Sequence, residues 1–100
     1  MNYTIFMLKK NDQTTMKRMG YRWNMAHGGV DVNEYDAVYN GSIEPLESIP
    51  ATLEAIYVAF NTGSTPGYFG RSMSVSDLVT LEGVGTFFCD SVGFKQIDAR

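Results

Sequence analysis

The stretch of residues 71–94 constrains the fold of this chain more than any other. A serine-rich segment ends at Asp77 and is followed by a short apolar run, residues 78–81; a second, aromatic run at residues 86–90 lies beyond a glycine-containing loop. Two short apolar runs joined by such a loop are typical of a β-hairpin, and we predict strands at these two positions. We interpret Asp77 as an acceptor of backbone N–H bonds in the serine-rich turn, a role that needs no catalytic function.

A single main helix is predicted at residues 49–61. Ser48 can cap its N-terminus, and Pro50 lies in the first turn, where a missing N–H group carries no penalty. Apolar residues then recur with the spacing i, i+3, i+4 and i+7, which places them on one face of a helix. This stripe, which we expect to be buried against a sheet, consists of Leu53, Ile56, Tyr57 and Phe60.

Further strands are predicted on either side of the helix. Residues 3–8 are apolar and β-branched almost without interruption, which is typical of a central strand that is covered on both faces. Residues 35–43 have strand-like composition, and the pair Asn40-Gly41 inside them predicts a hairpin turn. A last short strand is expected at residues 94–97, a surface loop at residues 64–70, and a frayed end at residues 98–100.

Between the first two of these strands the pattern is weak. The apolar positions in residues 14–23 follow neither the helical nor the strand period, although Thr14 or Thr15 could cap one helical turn that ends at Gly20. The whole pattern predicts an α+β fold: one domain, residues 1–100, with a small, mostly antiparallel sheet and one main helix packed on it.

Composition places the protein in a reducing compartment. Its single cysteine, Cys89, excludes an internal disulfide and lies in an apolar run, so we expect a buried, inert thiol. No apolar run reaches the length that crosses a bilayer, and the N-terminus lacks the pattern of a secretory signal. We therefore expect a cytoplasmic protein.

The residues that enzymes commonly use are scarce. One histidine and one cysteine cannot form a zinc site or a two-histidine metal site within one chain. His27, Ser72 and Asp77 could in principle form a serine triad, but the segment around Ser72 lacks the second glycine of a nucleophile elbow. Gly83-Val84-Gly85 likewise lacks the third glycine of a phosphate-binding loop. We predict a protein that is not an enzyme and has no catalytic residues, metal or cofactor.

Charge is distributed unevenly along the chain. Residues 1–22 carry a net charge of +4, residues 23–70 carry −6 without any Lys or Arg, and residues 71–100 carry −1. If the carboxylates of the middle segment share a face, they attract a basic surface; otherwise they only keep the domain soluble. The candidate partner-binding residues are Asp31, Glu34, Asp36, Glu44 and Glu47, together with Arg71. We expect Asp31, Glu34 and Asp36 in exposed loops, and Arg71 at the rim of the contact. The basic start could instead contact nucleic acid, although an isoelectric point near 4.9 argues against that.

Several of these motifs occur together in one family. The segments Tyr39-Asn40-Gly41, Ala59-Phe60-Asn61, residues 66–79 with Ser-Met-Ser-Val-Ser-Asp, and Asp90-Ser91-Val92-Gly93-Phe94-Lys95 resemble the YodL-like domain. The resemblance covers residues 35–97, and the N-terminal third matches loosely. It implies a protein of Firmicutes, encoded on plasmids, conjugative elements or prophages, without established catalytic residues. One branch of the family is linked to interference with cell-shape machinery.

Two functions follow from the resemblance and the charge pattern. The first is stoichiometric inhibition of a host defence complex, of the CRISPR or restriction type, through a basic surface that handles nucleic acid. The alternative is non-enzymatic regulation of cell-shape or conjugation machinery by protein contact. Both imply a protein or nucleoprotein partner, and neither requires a membrane or sequence-specific binding of nucleic acid by this chain.

Overall fold

A computed structural model describes residues 1–63, 65–68 and 70–98. Ser64, Phe69, Ala99 and Arg100 lie outside the described residues, and with them parts of the predicted loop at residues 64–70 and of the expected frayed end. The described strands are β1 (Asn2–Leu8), β2 (Tyr35–Ser42), β3 (Leu78–Leu81), β4 (Gly85–Cys89) and β5 (Phe94–Ile97). The described α-helices are α1 (Tyr21–Ala26) and α2 (Ile49–Asn61), and short 3-10 helices occupy Thr15–Met19 and Val32–Glu34.

The strands form one antiparallel sheet in the order β2-β1-β3-β4-β5. The predicted α+β fold is therefore confirmed, with β1 inside the sheet and the β3–β4 hairpin at its expected place. Helix α2 packs on one face of the sheet, and the connection between β1 and β2, which contains α1, covers one end of the other face. Alternate residues of β1 therefore enter two different apolar clusters.

Helix α2 has the predicted bounds and the predicted cap. The Ser48 hydroxyl accepts a hydrogen bond from the Ala51 N–H, at 3.2 Å between Oγ and N, which satisfies a free donor at the N-terminus of the helix. Leu53, Ile56 and Phe60 are buried against the sheet, as expected. The fourth residue of the stripe, Tyr57, is half-buried, because its ring packs edge-on against Phe94 at the margin of the sheet, 6.4 Å between centroids.

The predicted hairpin at Asn40-Gly41 is wrong. Strand β2 continues through both residues, which pair with Thr4 and Tyr3 of β1. A turn here would give up these pairings with β1, and an Asn-Gly pair only permits a turn without requiring one. The glycine serves a different purpose, since a Cβ at position 41 would lie 2.6 Å from the Tyr3 ring and 2.8 Å from the Tyr39 ring.

This crowding gives a testable expectation. Gly41→Ala should lower the free energy of unfolding by about 1 to 3 kcal/mol, because the two rings must move out of a packed position. Urea denaturation followed by circular dichroism measures the loss. The same substitution in a Tyr3→Ala background should cost less, since one of the two obstructing rings is gone. An equal cost in both backgrounds would show that the Tyr3 ring is not the cause.

The segment before β2 contains more structure than the sequence predicts. The single helical turn expected near Thr14 is a 3-10 helix that ends at Gly20 as predicted, but Thr14 makes no side-chain cap to it. Helix α1 follows directly and was not predicted. The buried Asn24 side chain stabilises it by donating to the carbonyl oxygens of Lys17 and Gly20, at 2.8 and 2.7 Å. These contacts tie α1 to the preceding 3-10 helix.

Candidate functional site

An ion pair with a fully buried carboxylate lies at the centre of the serine-rich turn. The Asp77 side chain has no exposed surface, and its two oxygens accept hydrogen bonds from the two terminal nitrogens of Arg71, at 2.8 and 2.9 Å. The same oxygens also accept the backbone N–H groups of Ser74 (2.8 Å) and Leu8 (2.9 Å). The predicted role of Asp77 as an acceptor of backbone N–H bonds in this turn is confirmed, and both oxygens are fully engaged.

Arg71 therefore has a structural role that the sequence did not reveal. From the sequence we expect Arg71 at the rim of a contact surface, but its guanidinium forms a two-pronged contact with a buried carboxylate. This hydrogen bond to Asp77 raises the pKa of Arg71. About a quarter of the Arg71 side chain is exposed, and only this part is accessible to a partner.

The same turn holds the N-terminal part of the chain in place. Arg18 donates to the Leu8 carbonyl oxygen at 3.0 Å and to the Ser74 hydroxyl at 3.1 Å. Ser76 donates from its hydroxyl to the Lys17 carbonyl oxygen at 2.6 Å, and its own carbonyl oxygen accepts the Tyr35 hydroxyl at 2.6 Å. Burial raises the pKa of Tyr35, which keeps this phenol protonated as a donor.

Ser76 also adopts an unusual backbone conformation. Its φ is +79°, in the left-handed region that residues other than glycine seldom occupy. The conformation persists because the Ser76 backbone N–H donates to the Cys89 carbonyl oxygen at 2.7 Å, in addition to the two bonds above. The Ser-Met-Ser-Val-Ser-Asp block thus builds a polar core that joins β1, β4 and the 3-10 helix Thr15–Met19.

The groups considered for catalysis lie in other arrangements. The His27 ring stacks on Trp23 with 3.9 Å between centroids, and its Nδ1 lies 2.7 Å from the Trp23 carbonyl oxygen. Cys89 is buried as expected, and burial, with the carboxylates of Asp77, Asp90 and Glu54, raises the pKa of its thiol to about 12. A thiol with such a pKa is a poor nucleophile near neutral pH.

A metal site would need several ligand side chains in one place. Within residues 1–63, 65–68 and 70–98, no three His, Cys, Asp or Glu side chains lie close enough together to hold a metal ion. The absence of enzymatic activity and of a metal stays a prediction.

The acidic residues of the middle segment form two separate groups. The first group precedes or begins β2: Asp31 is exposed, Glu34 forms an ion pair with Lys17, and the Asp36 carboxylate lies 3.9 Å from the Lys9 ammonium group. Exposed loop positions were expected for all three, which is correct for Asp31 alone. Glu34 is half-buried in a 3-10 helix, and Asp36 lies on β2. The basic start of the chain thus partly neutralises this group.

The second group lies beyond the other end of β2, a strand of eight residues and about 26 Å. Glu44, Glu47 and Glu54 are exposed, and none has an ion-pair partner in the described part of the chain. A hydrogen bond of 3.0 Å from the Leu46 N–H to the Thr52 hydroxyl holds the connection against the start of α2. We call these three carboxylates the acidic end of α2. The six carboxylates of residues 23–70 therefore do not share one face.

An apolar groove runs beside the acidic end of α2, between α2 and the β4–β5 hairpin. It has a volume of about 360 Å³, and its apolar walls are formed by Ile49, Pro50, Leu53, Val84, Phe87 and Phe94. Glu54 stands at its rim and also lines a second depression, of about 190 Å³, that contains Asp90. Among the described residues that line the two depressions there is no Lys or Arg. We call the two together the α2–β5 groove.

A wider depression, about 620 Å³, lies on the open part of the opposite sheet face. Its polar groups are paired with each other: the Thr4 hydroxyl donates to the Asn40 side chain at 2.7 Å, and the Asn2 amide donates to Glu82 at 3.2 Å. This pattern is typical of a solvated sheet face.

These features define a small α+β domain with a polar core at the serine-rich turn, an acidic helix end and an apolar groove beside it. The chain belongs to the YodL-like domain family, whose sequence model matches residues 2–99. The match includes the N-terminal third, which by the sequence motifs alone resembles the family loosely. Neither the curated proteins nor the solved structures gave a match to this chain.

None of the helices in the described ranges has the length and hydrophobicity that a membrane-spanning segment needs.

Proposed function

We propose that the protein is a non-enzymatic, stoichiometric inhibitor of a cytosolic host defence complex of the CRISPR or restriction type. The observation that carries the proposal is the acidic end of α2. Glu44, Glu47 and Glu54 are exposed and have no ion-pair partner among the described residues. Such an uncompensated group attracts a basic surface, and the channels that hold DNA or RNA are the basic surfaces that defence nucleases share.

The neutralised group near the start of β2 contributes less to this attraction. Lys17 and Lys9 lie beside Glu34 and Asp36, so the field outside the protein is weaker there than the sequence suggests. Reversing these two carboxylates would also break the ion pairs within the protein. A test of the contact must therefore use the acidic end of α2.

The test is a DNA-cleavage assay with purified CRISPR effectors and restriction enzymes. Increasing amounts of the protein should abolish cleavage by a target complex at a one-to-one ratio, and the inhibition should weaken as salt screens the carboxylates. The variant Glu44→Lys/Glu47→Lys/Glu54→Lys should slow association about tenfold or more, because electrostatic complementarity acts mainly on the rate of encounter. Surface plasmon resonance gives this rate.

The matched control is Asp12→Lys/Glu82→Lys/Asp98→Lys. These three carboxylates are also exposed but lie outside the acidic end of α2, so the control changes net charge by the same amount. It should associate more than three times faster than the first variant, since position, and not total charge, determines the contact. Equal slowing by both variants would show that only net charge matters. Unimpaired cleavage by every nuclease would contradict the proposal and favour the cell-shape or conjugation alternative.

A further inference from the structure

The α2–β5 groove has the composition of a docking site for a protein segment. Its walls are apolar side chains from α2, from the β3–β4 turn and from β4 and β5, and Glu54 and Gln96 are the polar side chains among its main lining residues. Sites for polar small molecules carry several polar groups that fix the ligand from different sides. The walls of this groove instead suit an aliphatic side chain of a partner.

Exposed apolar residues extend the groove at its margins. Val84 lines it and is 38% exposed, and Val92, next to the lining residue Gly93, is 82% exposed. Single exposed apolar residues are ordinary, but a groove with apolar walls and apolar margins marks a contact surface.

The charge around the groove specifies its occupant. Glu54 stands at the rim, Asp90 lines the adjoining depression, and Glu47 precedes α2 in the same acidic end. One Asp90 oxygen accepts the Tyr21 N–H at 3.3 Å, and neither Asp90 nor Glu54 has an ion-pair partner among the described residues. Lys95, the basic residue of β5, pairs with Phe88 and therefore points to the opposite face of the sheet.

We propose that the α2–β5 groove binds a partner segment in which a leucine or another large aliphatic residue is flanked by Lys or Arg. The aliphatic side chain enters the apolar walls, and the flanking cations approach Glu54 and Asp90. The inference rests on the proposed function and deepens it, because it names the kind of segment on the partner that the acidic end of α2 contacts.

A synthetic peptide with a central leucine flanked by arginines and lysines tests the groove without any defence complex. Added to the isotope-labelled protein, it should shift the backbone amide signals of Leu53, Glu54, Phe87 and Phe94 in two-dimensional NMR. A peptide with serine in place of leucine, or with glutamates in place of the basic residues, should bind at least about tenfold more weakly, since each lacks one of the two matched features.

Two pairs of variants locate the contact. Glu54→Lys should raise the dissociation constant of the basic peptide about tenfold, and Val84→Ser should raise it several-fold. The matched controls are Asp12→Lys and Val32→Ser, which alter an exposed carboxylate outside the acidic end of α2 and an exposed valine, neither of which lines the groove. Both should leave the dissociation constant within about twofold of the unaltered protein.

Several results would overturn the inference. These are shifts that fall on residues 9–23, equal binding of the glutamate peptide, or no shift at millimolar peptide. Signals that move with protein concentration alone would show that a second copy of the chain occupies the groove. None of these results changes the outcome of the cleavage assay, so the two proposals can fail separately. If a nuclease is inhibited but the peptide does not bind at the groove, the proposed function stands and the groove is not the contact site.

Discussion

Replacing Arg71 by methionine is expected to lower the free energy of unfolding by about 3 to 5 kcal/mol, because it leaves the Asp77 carboxylate buried without a counter-charge. Asp77 has no exposed surface, so its carboxylate depends on the guanidinium for its counter-charge. Methionine preserves much of the length of the side chain, which limits the loss of packing. Urea denaturation followed by circular dichroism measures the difference. Such a loss is a large part of the stability of a domain of this size.

Arg18→Met is the matched control for this effect. Arg18 also donates to the Leu8 carbonyl oxygen and to the Ser74 hydroxyl, but it has no ion-pair partner among the described residues. Its removal leaves no buried charge without a partner, and the Leu8 carbonyl oxygen still accepts a hydrogen bond from Arg71. We therefore expect a loss of about 1 to 2 kcal/mol in the free energy of unfolding. Equal losses for the two variants would show that the Arg71–Asp77 charge pair has no special weight.

The double variant Arg71→Met/Asp77→Asn separates charge from shape. Asparagine removes the charge that Arg71 balances but keeps an acceptor oxygen for only one of the two backbone N–H groups, because Ser74 and Leu8 donate to different Asp77 oxygens. Loss of the uncompensated charge should outweigh loss of one acceptor. The double variant should therefore be more stable than Arg71→Met alone, which gives a positive coupling in a double-mutant cycle. A double variant less stable than either single one would indicate that the backbone bonds to Asp77 outweigh its pairing with Arg71.

Local signals explain which elements could be predicted from the sequence. Helix α2 has its cap, its first-turn proline and its apolar stripe within one continuous segment, and the structure has the predicted bounds. The β3–β4 hairpin likewise depends on two apolar runs and the turn between them. These elements need no information from distant parts of the chain.

The errors arise where distant contacts determine the structure. The Asn40-Gly41 turn is overridden by the pairing of β2 with β1, more than thirty positions away in the sequence. Helix α1 is short and weakly patterned, and it packs through Tyr21 against Phe88 of β4, with 5.9 Å between the ring centroids. Neither contact can be read from a local period, because tertiary pairing overrides propensity in short segments.

The same distinction holds for the candidate site. The exposed carboxylates of the acidic end of α2 could be found from the absence of Lys and Arg in residues 23–70. The neutralisation of Glu34 could not be predicted in this way, because the Lys17–Glu34 ion pair joins residues on different elements. Opposite charges at Arg71 and Asp77, six positions apart across a serine-rich turn, were a signal that an internal ion pair could form. The α2–β5 groove depends on how α2 meets β5, which only the tertiary structure reveals.

Phe60→Ala is expected to cost about 3 to 5 kcal/mol of stability, because the side chain fills the space between the last turn of α2 and two tyrosines. Phe60 is 4% exposed, and its ring centroid lies 4.1 Å from that of Tyr68 and 5.9 Å from that of Tyr39. Truncation leaves a cavity that the two tyrosine rings cannot close, because each ring is held by its own hydrogen bond. The Tyr68 hydroxyl donates to the Arg71 carbonyl oxygen at 2.6 Å, and the Tyr39 hydroxyl donates to the Pro66 carbonyl oxygen at 3.1 Å. Urea denaturation gives the loss of stability, and near-ultraviolet circular dichroism should weaken as the tyrosines lose their fixed packing.

Val58→Ala, on the same helix two positions earlier, provides the comparison that makes this expectation decisive. Val58 is 48% exposed, so its truncation removes little buried surface and should change stability by no more than about 0.5 kcal/mol. Both substitutions introduce the residue with the best helix propensity, so propensity cannot explain a difference between them. If Phe60→Ala cost no more than Val58→Ala, α2 would not be held to the sheet through its buried stripe. The acidic end of α2 and the α2–β5 groove would then lack the rigid support that a docking surface needs.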